Sequence, residues 1–152
     1  MPPFNAPIIL GCDHAAVELK NQIKDFLETQ GIAVTDVGTQ GPGSVDYPDF
    51  GHQVACRVAK GEFQRGILLC GTGIGMSMAA NRHRGVRAAL CHDLFAAKMS
   101  RLHNDANLLV LGGRVVGDVL ACEIVRTFLE TPFEGGRHQQ RIDKLDQISE
   151  SC

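Results

Sequence analysis

Short, uninterrupted apolar runs alternate along the chain with longer segments in which apolar residues recur at helical spacing. The runs predict buried strands, because a strand covered on both faces shows no polar alternation. These strands are predicted at residues 7–12, from 32 onward, and at 66–70, 86–91 and 107–111. The helices between and after them are predicted at about residues 16–27, 50–60, 94–102, 121–128 and 138–149, and one more leads from the glycine-rich turn at 71–75 through 81.

This alternation predicts the α/β class: a Rossmann-like, three-layer α/β/α sandwich around a five-stranded parallel sheet. Its 152 residues suit one domain, which we assign to 1–152 with a C-terminal helical arm at about 132–152. Ligands of such folds bind at the carboxyl ends of the strands. The loops of interest therefore begin at Cys12, Cys70, Cys91 and Gly112.

Composition excludes several classes of protein. A formal charge of −2 gives no electrostatic reason to expect nucleic acid as the main partner. No apolar run approaches the roughly 18 residues of a membrane span, and the amino terminus lacks the features of a signal peptide. The six cysteines show no CxxC or Cys/His zinc spacing, so we expect no metal site. A domain of this size needs no disulfides, and without a signal peptide we expect reduced thiols in the cytoplasm. The alternative for any single cysteine is that it is a small, buried hydrophobic residue of the core.

The sharpest local motif is the glycine-rich turn Cys70-Gly71-Thr72-Gly73-Ile74-Gly75. Known fingerprints do not fit it: Met76 or Met78 stands where a dinucleotide site needs glycine or alanine, and no Gly-Lys-Ser/Thr follows. Met76 also stands where a Cys-x5-Arg phosphatase loop needs arginine. A helix start favours the thiolate form of Cys70, and backbone N–H groups suit an enediolate. The pattern leaves open whether Cys70 acts as a nucleophile or a base, or whether the segment is only a turn.

Two further pairs of polar residues flank predicted elements. Asp13 and His14 follow the first strand and bring a carboxylate and an imidazole to the sheet edge. A helix N-cap would equally explain Asp13, and a surface position His14. His103 and Asn104 follow the fourth helix, where an exposed histidine is also common.

Arginines near the carboxyl terminus are candidates for binding phosphate. Arg137 and Arg141 share a helix face, with His138 between them, and paired guanidiniums suit a phosphate dianion. Arg114, after the fifth strand, can add another guanidinium at the sheet edge. A solvated basic face is the alternative for the terminal helix.

These residues, in this order, resemble ribose-5-phosphate isomerase B over about residues 7–142. The matching segments are Gly11-Cys12-Asp13-His14, Asp46-Tyr47-Pro48, the glycine-rich turn, Ala80-Asn81, His103-Asn104-Asp105, Gly113 to Gly117, and Glu134-Gly135-Gly136-Arg137-His138-Gln139-Gln140-Arg141.

The resemblance implies interconversion of ribose 5-phosphate and ribulose 5-phosphate in the pentose phosphate pathway, with no metal and no cofactor. By position, Cys70 resembles the general base, Thr72 assists proton transfer between oxygens, and His103 with Asp13 nearby opens the sugar ring. Some family members carry a glutamate base just after the loop, but this chain has Met76 there. The resemblance assigns substrate binding to His14, Tyr47, Gly71, Gly73, Ile74, Gly75, Asn104, Arg114, Arg137, His138 and Arg141.

The resemblance further implies a homodimer in which the C-terminal arm reaches the neighbouring subunit's site, and it leaves a tetramer open. No membrane or nucleic-acid partner is expected. A six-carbon substrate, such as allose or galactose 6-phosphate, is the alternative within the family, and loop residues 41–47 are expected to shape the pocket. A non-catalytic nucleotide- or flavin-binding module is the alternative from another class.

Overall fold

The computed structural model describes residues 4–148, which form one parallel five-stranded sheet with helices on both faces. The strands are β1 Ile8–Cys12, β2 Val34–Asp36, β3 Arg65–Cys70, β4 Ala88–Leu90 and β5 Leu108–Gly112. The helices are α1 Val17–Thr29, α2 Tyr47–Ala59, α3 Ile74–Ala80, α4 Leu94–Leu102, α5 Asp118–Glu130 and α6 Arg137–Ile142. The predicted fold class is confirmed.

The strand order β2-β1-β3-β5-β4 explains which apolar runs are most hydrophobic. Strands β1, β3 and β5 lie inside the sheet and are buried almost throughout, whereas the edge strands β2 and β4 are only half buried. After β1 the chain moves to one side of the sheet, and it returns to the other side for β3. A crevice at such a switch point is where open α/β sheets bind ligands.

Two apolar clusters hold the helices to the sheet. One contains Leu10 and Leu69 and packs with α1, α4 and α5; the other contains Leu68 and Val110 and packs with α2 and α3. Every interior strand thus contributes side chains to both layers, which requires apolar residues at consecutive positions.

Several element ends differ from the sequence prediction for local reasons. Strand β2 begins at Val34 because Ile32 donates its N–H to Leu27 O and so belongs to the turn that ends α1. Strand β4 begins at Ala88 because the N–H of Arg87 binds Asn107 Oδ1.

The predicted terminal helix over 138–149 is wrong in extent. Helix α6 ends at Ile142, and the next residues turn so that Asp146 Oδ2 accepts a hydrogen bond from Gly85 N at 2.9 Å. Only Arg137–Ile142 of the expected helical arm is α-helical among its described residues; residues 149–152, including Cys152, lie outside the described part.

No helix within residues 4–148 combines the length and the hydropathy that crossing a membrane requires.

Candidate active site

The carboxyl ends of β1, β3 and β5 bring three loops together. Asp13 N donates to Leu69 O at 3.2 Å, and Gly113 N donates to Cys70 O at 2.8 Å. Arg114 N donates to Gly71 O at 3.0 Å. These bonds between the loops hold Asp13, the Cys70 loop and Arg114 at one edge of the sheet, as the sequence predicted.

Cys70 is the last residue of β3 and is only 5% exposed. Its Sγ accepts a hydrogen bond from the backbone N–H of Gly73 at 3.2 Å. Gly73 has φ +79°, a left-handed conformation that bends the loop back toward the sulfur. The geometry therefore supplies Cys70 with a donor that stabilises negative charge on sulfur.

The rest of the glycine-rich turn packs closely against its neighbours. A Cβ on Gly75 would lie 2.5 Å from Cζ of Tyr47, so the tyrosine ring covers the loop directly. A Cβ on Gly71 would lie 3.5 Å from Nη1 of Arg114. Thr72 is exposed, and its Oγ1 accepts from Ile74 N at 3.3 Å.

Asp13 and His14 are both held by backbone groups. Asp13 is 6% exposed, and its Oδ1 caps the short 3-10 turn His14–Ala16 by accepting from Ala15 N at 3.0 Å. The capping interpretation is thus confirmed, and it uses only one of the two carboxylate oxygens. His14 Nδ1 accepts from Val45 N at 3.2 Å, which leaves Nε2 to carry the ring proton.

His92 was not a candidate in the sequence, although it follows Cys91 at the end of β4. Its Nε2 accepts from Gly112 N at 3.2 Å, beside the end of β3. The signal was its place at a carboxyl strand end, one of the loops already singled out.

A second group of candidates lies around the end of α4. His103 caps α4, and its ring stacks on His138 with centroids 4.3 Å apart and planes 13° apart. A cavity of about 270 Å³ is lined by His103, Asn104, His138, Arg141, Ile142 and Leu145. Arg137 and Arg141 are exposed on α6, which also lies here.

Within one chain these two groups lie at opposite edges of the sheet. His103 precedes β5, whose amino end meets Gly66 of β3, while Cys70 pairs with Gly112 at the other end. Four residues of strand, at roughly 3.3 Å each, separate the two edges by about 13 Å. The expected proximity of Asp13 to His103 does not occur within a chain, and Asn104 lies at the edge opposite the glycine-rich turn.

His138, which is expected to bind substrate, lines the cavity at the end of α4 but is itself largely buried. It is 5% exposed, and its Nε2 is buried. Glu134 Oε2 lies 3.3 Å from His138 Nε2 and 3.7 Å from His103 Nε2. Sequence reasoning gave Glu134 no role, although its place four residues before His138 was a signal for contact.

Comparison with known proteins gives a consistent family. Residues 8–145 match the model of the ribose/galactose isomerase family. The chain is 47% identical to ribose-5-phosphate isomerase B of Escherichia coli, covering 94% of this chain and 96% of that protein. It is 45% identical to a D-erythrulose-4-phosphate isomerase of Pectobacterium atrosepticum, covering 91% of each. A crystal structure of a ribose 5-phosphate isomerase from Thermotoga maritima superposes with a TM-score of 0.92 at 54% identity, covering 93% of this chain and 98% of that one.

Proposed function

The chain belongs to the ribose/galactose isomerase family that includes ribose-5-phosphate isomerase B, and we propose that it interconverts D-ribose 5-phosphate and D-ribulose 5-phosphate. It is a sugar-phosphate isomerase. The observation that carries the specific proposal is the Cys70 thiol, buried at a strand end and hydrogen-bonded by Gly73 N–H. Moving a proton between adjacent carbons needs a base, hydrogen-bond donors that stabilise an enediolate, and residues that bind the phosphate.

In the proposed chemical step, the Cys70 thiolate removes the C2 proton of the open-chain aldose. Electrons shift to form the C1–C2 double bond and an oxyanion at O1, which N–H groups of the Gly71–Gly75 turn hold. Thr72 Oγ passes a proton from O2 to O1, and Cys70 returns its proton to C1 as the C2 carbonyl forms. No electron acceptor enters this balance, so the proposal needs no cofactor.

The sugar ring must open before this step. His103 gives a proton to the ring oxygen O4 as the C1–O4 bond breaks, and Asp13 accepts the proton leaving O1. Because His103 and Asp13 lie at opposite sheet edges of one chain, we propose that His103 and Asn104 come from a second subunit.

Phosphate binding divides between the same two edges. His14 and Arg114 approach it from the subunit that carries Cys70, with Tyr47 covering the glycine-rich turn. Arg137 and Arg141 stand on the exposed face of α6 and approach it from the other subunit. A dianion held by several guanidiniums orients the distant C1–C2 bond, which is how remote binding assists chemistry.

The active unit is therefore a homodimer with two shared sites, and a tetramer can form by pairing dimers. The domain spans residues 1–152, with the arm after residue 132 contributing to the neighbouring site. All five cysteines among residues 4–148 are free thiols, which supports a reducing, cytoplasmic setting. The reaction belongs to the pentose phosphate pathway.

Chain length of the substrate is the property to test first. We expect kcat/KM to be highest for ribose 5-phosphate when it is compared with allose 6-phosphate, galactose 6-phosphate and erythrose 4-phosphate. The four-carbon substrate is included because one relative is named for D-erythrulose 4-phosphate. A higher kcat/KM on any of the other three would show that ribose 5-phosphate is not the preferred substrate. The assignment as a sugar-phosphate isomerase would still hold.

The base is tested by substitution. Cys70→Ala is expected to lower kcat on ribose 5-phosphate by about 100-fold or more, since a positioned base contributes about 10²–10⁴. Cys122→Ala is the matched control, because Cys122 is a half-buried thiol on α5, away from the glycine-rich turn. Full activity of Cys70→Ala, with circular dichroism unchanged, would remove Cys70 as the base.

A further inference from the structure

The proposed mechanism uses His103 but leaves two of its neighbours without a role. The ring of His138 stacks on that of His103, and one carboxylate oxygen of Glu134 lies within 3.7 Å of Nε2 on both rings. His138 Nε2 is buried, and the Glu134 oxygen 3.3 Å away does not meet it at hydrogen-bond geometry, nor does any other group among the described residues. A buried nitrogen left unpaired costs free energy, so its retention here calls for an explanation.

A metal ion does not account for this cluster. Imidazole lone pairs lie in the ring plane, and two rings stacked with centroids 4.3 Å apart and planes only 13° apart hold their lone pairs in separate, nearly parallel planes. Zinc ligands instead converge tetrahedrally on one point. The stack would have to come apart before both histidines could bind the same ion.

The backbone fixes Glu134 in this position from two sides. Its N–H donates to Leu102 O at 3.0 Å, which ties it to the last residue of α4, next to His103. The chain then bends through Gly135 at φ +69° and Gly136 at φ +57°, and this bend brings His138 back under the carboxylate. Both glycines adopt conformations that other residues rarely reach. Glu134 thus links the carboxyl-terminal end of α4 to the first turn of α6.

We propose that Glu134 and His138 are positioning residues that hold His103 for opening the sugar ring. His138 supplies a buried surface against which the His103 ring stacks, and Glu134 keeps a carboxylate beside both Nε2 atoms. His103 then presents its ring at a fixed angle, so that a proton passes to O4 as the C1–O4 bond breaks. Neither residue touches the substrate, which gives His138 a different role from the one expected from the sequence. The inference rests on the proposed function.

Ring opening can be separated from the proton transfer at carbon. Ribulose 5-phosphate carries its phosphate on the hydroxyl that would close a furanose ring, so it is an open chain. Exchange of its C1 proton with deuterium oxide needs Cys70 and the glycine-rich turn, but it does not need ring opening. A defect in positioning His103 therefore slows turnover of ribose 5-phosphate and spares this exchange.

The test uses Glu134→Gln, which keeps the shape of the side chain and removes its charge. We expect kcat on ribose 5-phosphate to fall by about tenfold or more, with KM within about twofold, because an acid out of position loses part of a 10²–10⁴ contribution. Exchange at C1 of ribulose 5-phosphate, followed by proton NMR, should stay within about twofold of wild type, and Glu134→Asp should recover part of kcat. Glu130→Gln, the same change at the exposed end of α5, should alter neither rate.

Two results would overturn the inference without touching the proposed function. If Glu134→Gln lowers turnover and exchange equally, the residue is structural; if it lowers neither, it has no role in catalysis. Loss of C1 proton exchange in Cys70→Ala tests the base separately, because that exchange does not require ring opening. A wild-type protein that does not act on ribose 5-phosphate would instead remove the proposed function on which the inference rests.

Discussion

Cys12 and Cys70 end adjacent strands, yet their side chains lie on opposite faces of the sheet. Cys12 belongs to the cluster beneath α1 and α5, and Cys70 to the cluster beneath α2 and α3. Burial raises the pKa of the Cys12 thiol to about 12, and it raises the pKa of Cys91 to about 11. Both remain neutral thiols near pH 7. On the other face of the sheet, the sulfur of Cys70 accepts a hydrogen bond from the N–H of Gly73.

Gly73 is the residue on which that contact depends. Its φ of +79° is costly for alanine, by about 1–2 kcal/mol, and a Cβ would also lie 2.5 Å from Leu90 Cδ1 and 3.0 Å from the Leu111 carbonyl. We expect Gly73→Ala to lower the free energy of unfolding by more than about 2 kcal/mol and to lower kcat by moving the donor away from Cys70. Urea unfolding and steady-state kinetics measure the two effects.

Gly61→Ala is the control for Gly73, because Gly61 has φ +76° with nothing near its would-be Cβ. It should lose only about 1–2 kcal/mol and keep full activity. Equal stability losses in the two variants would mean that the loop adapts to the methyl group at Gly73.

At this scale the sequence predicted the position of Cys70 at a strand end beside a glycine-rich turn, but it missed the contacts of other candidate residues. Glycines and a helix start next to Cys70 are local features, and local features can be read from sequence. The hydrogen bond from Val45 N to the ring of His14 depends on how the loop over residues 37–46 folds back. Contacts between residues 31 positions apart leave no local pattern.

Among the elements, helix α1 and the end of strand β2 are joined by a buried ion pair. Lys20 Nζ lies 2.7 Å from Asp36 Oδ2, and the two side chains are 0% and 8% exposed. Lys20 also donates to Thr39 O at 3.3 Å, and Asp36 Oδ1 accepts from Gly38 N at 2.9 Å. The pair therefore fixes the start of the loop that later reaches His14.

Removal of Lys20 should leave the carboxylate of Asp36 buried without its charged partner, which destabilises the folded state. We expect Lys20→Met to lower the free energy of unfolding at pH 7 by about 3–5 kcal/mol, since one partner of a buried pair is left alone. Lys24→Met, on the same helix and only half buried, is the control and should change little. Urea unfolding curves measure both, and a Lys20→Met variant as stable as wild type would contradict the argument.

The same pair predicts a pH dependence. Burial by itself would raise the pKa of Asp36, but hydrogen bonds from Lys20, Gly38 and Gln40 and the charge of Lys20 outweigh it and lower the pKa below its ordinary 3.8. A lowered folded-state pKa contributes stability above the unfolded-state value and loses it as pH falls further. The stability gap between wild type and Lys20→Met should therefore narrow as pH falls through about 4, because protonation of Asp36 removes both its attraction to Lys20 in the wild type and the cost of its unpaired charge in the variant.

Element prediction worked where a terminus has its own chemical signal. Helix α4 was predicted at its observed bounds; Asp93 caps it by accepting from Ala96 N at 2.7 Å. Helix α6 was predicted too long because its end is set by Asp146, which bonds to Gly85 some 61 residues away. The apolar pattern after Ile142 fits a helix, but it does not indicate the hydrogen bond between Asp146 and Gly85.

For the whole molecule, the division of the candidate residues between two sheet edges is the main consequence of the topology. The order of strands and helices alone predicts it, because a residue that precedes a parallel strand lies at the amino edge. His103 precedes β5, and Asp13 follows β1. Family resemblance grouped the two by function, whereas the connectivity separates them within a chain.

A shared site makes a quantitative prediction about mixed dimers. If Cys70 and His103 meet only across subunits, a dimer of one Cys70→Ala chain and one His103→Ala chain has one site with both defects and one intact site. Chains co-expressed with different tags and purified for both should therefore show about half of wild-type kcat per dimer, although each variant alone is inactive. Pairing Cys70→Ala with Asp13→Ala is the control: both defects lie at the carboxyl edge, so every site keeps one and no activity should return. Activity in that control pair, or none in the first, would contradict a site built from opposite edges of two subunits.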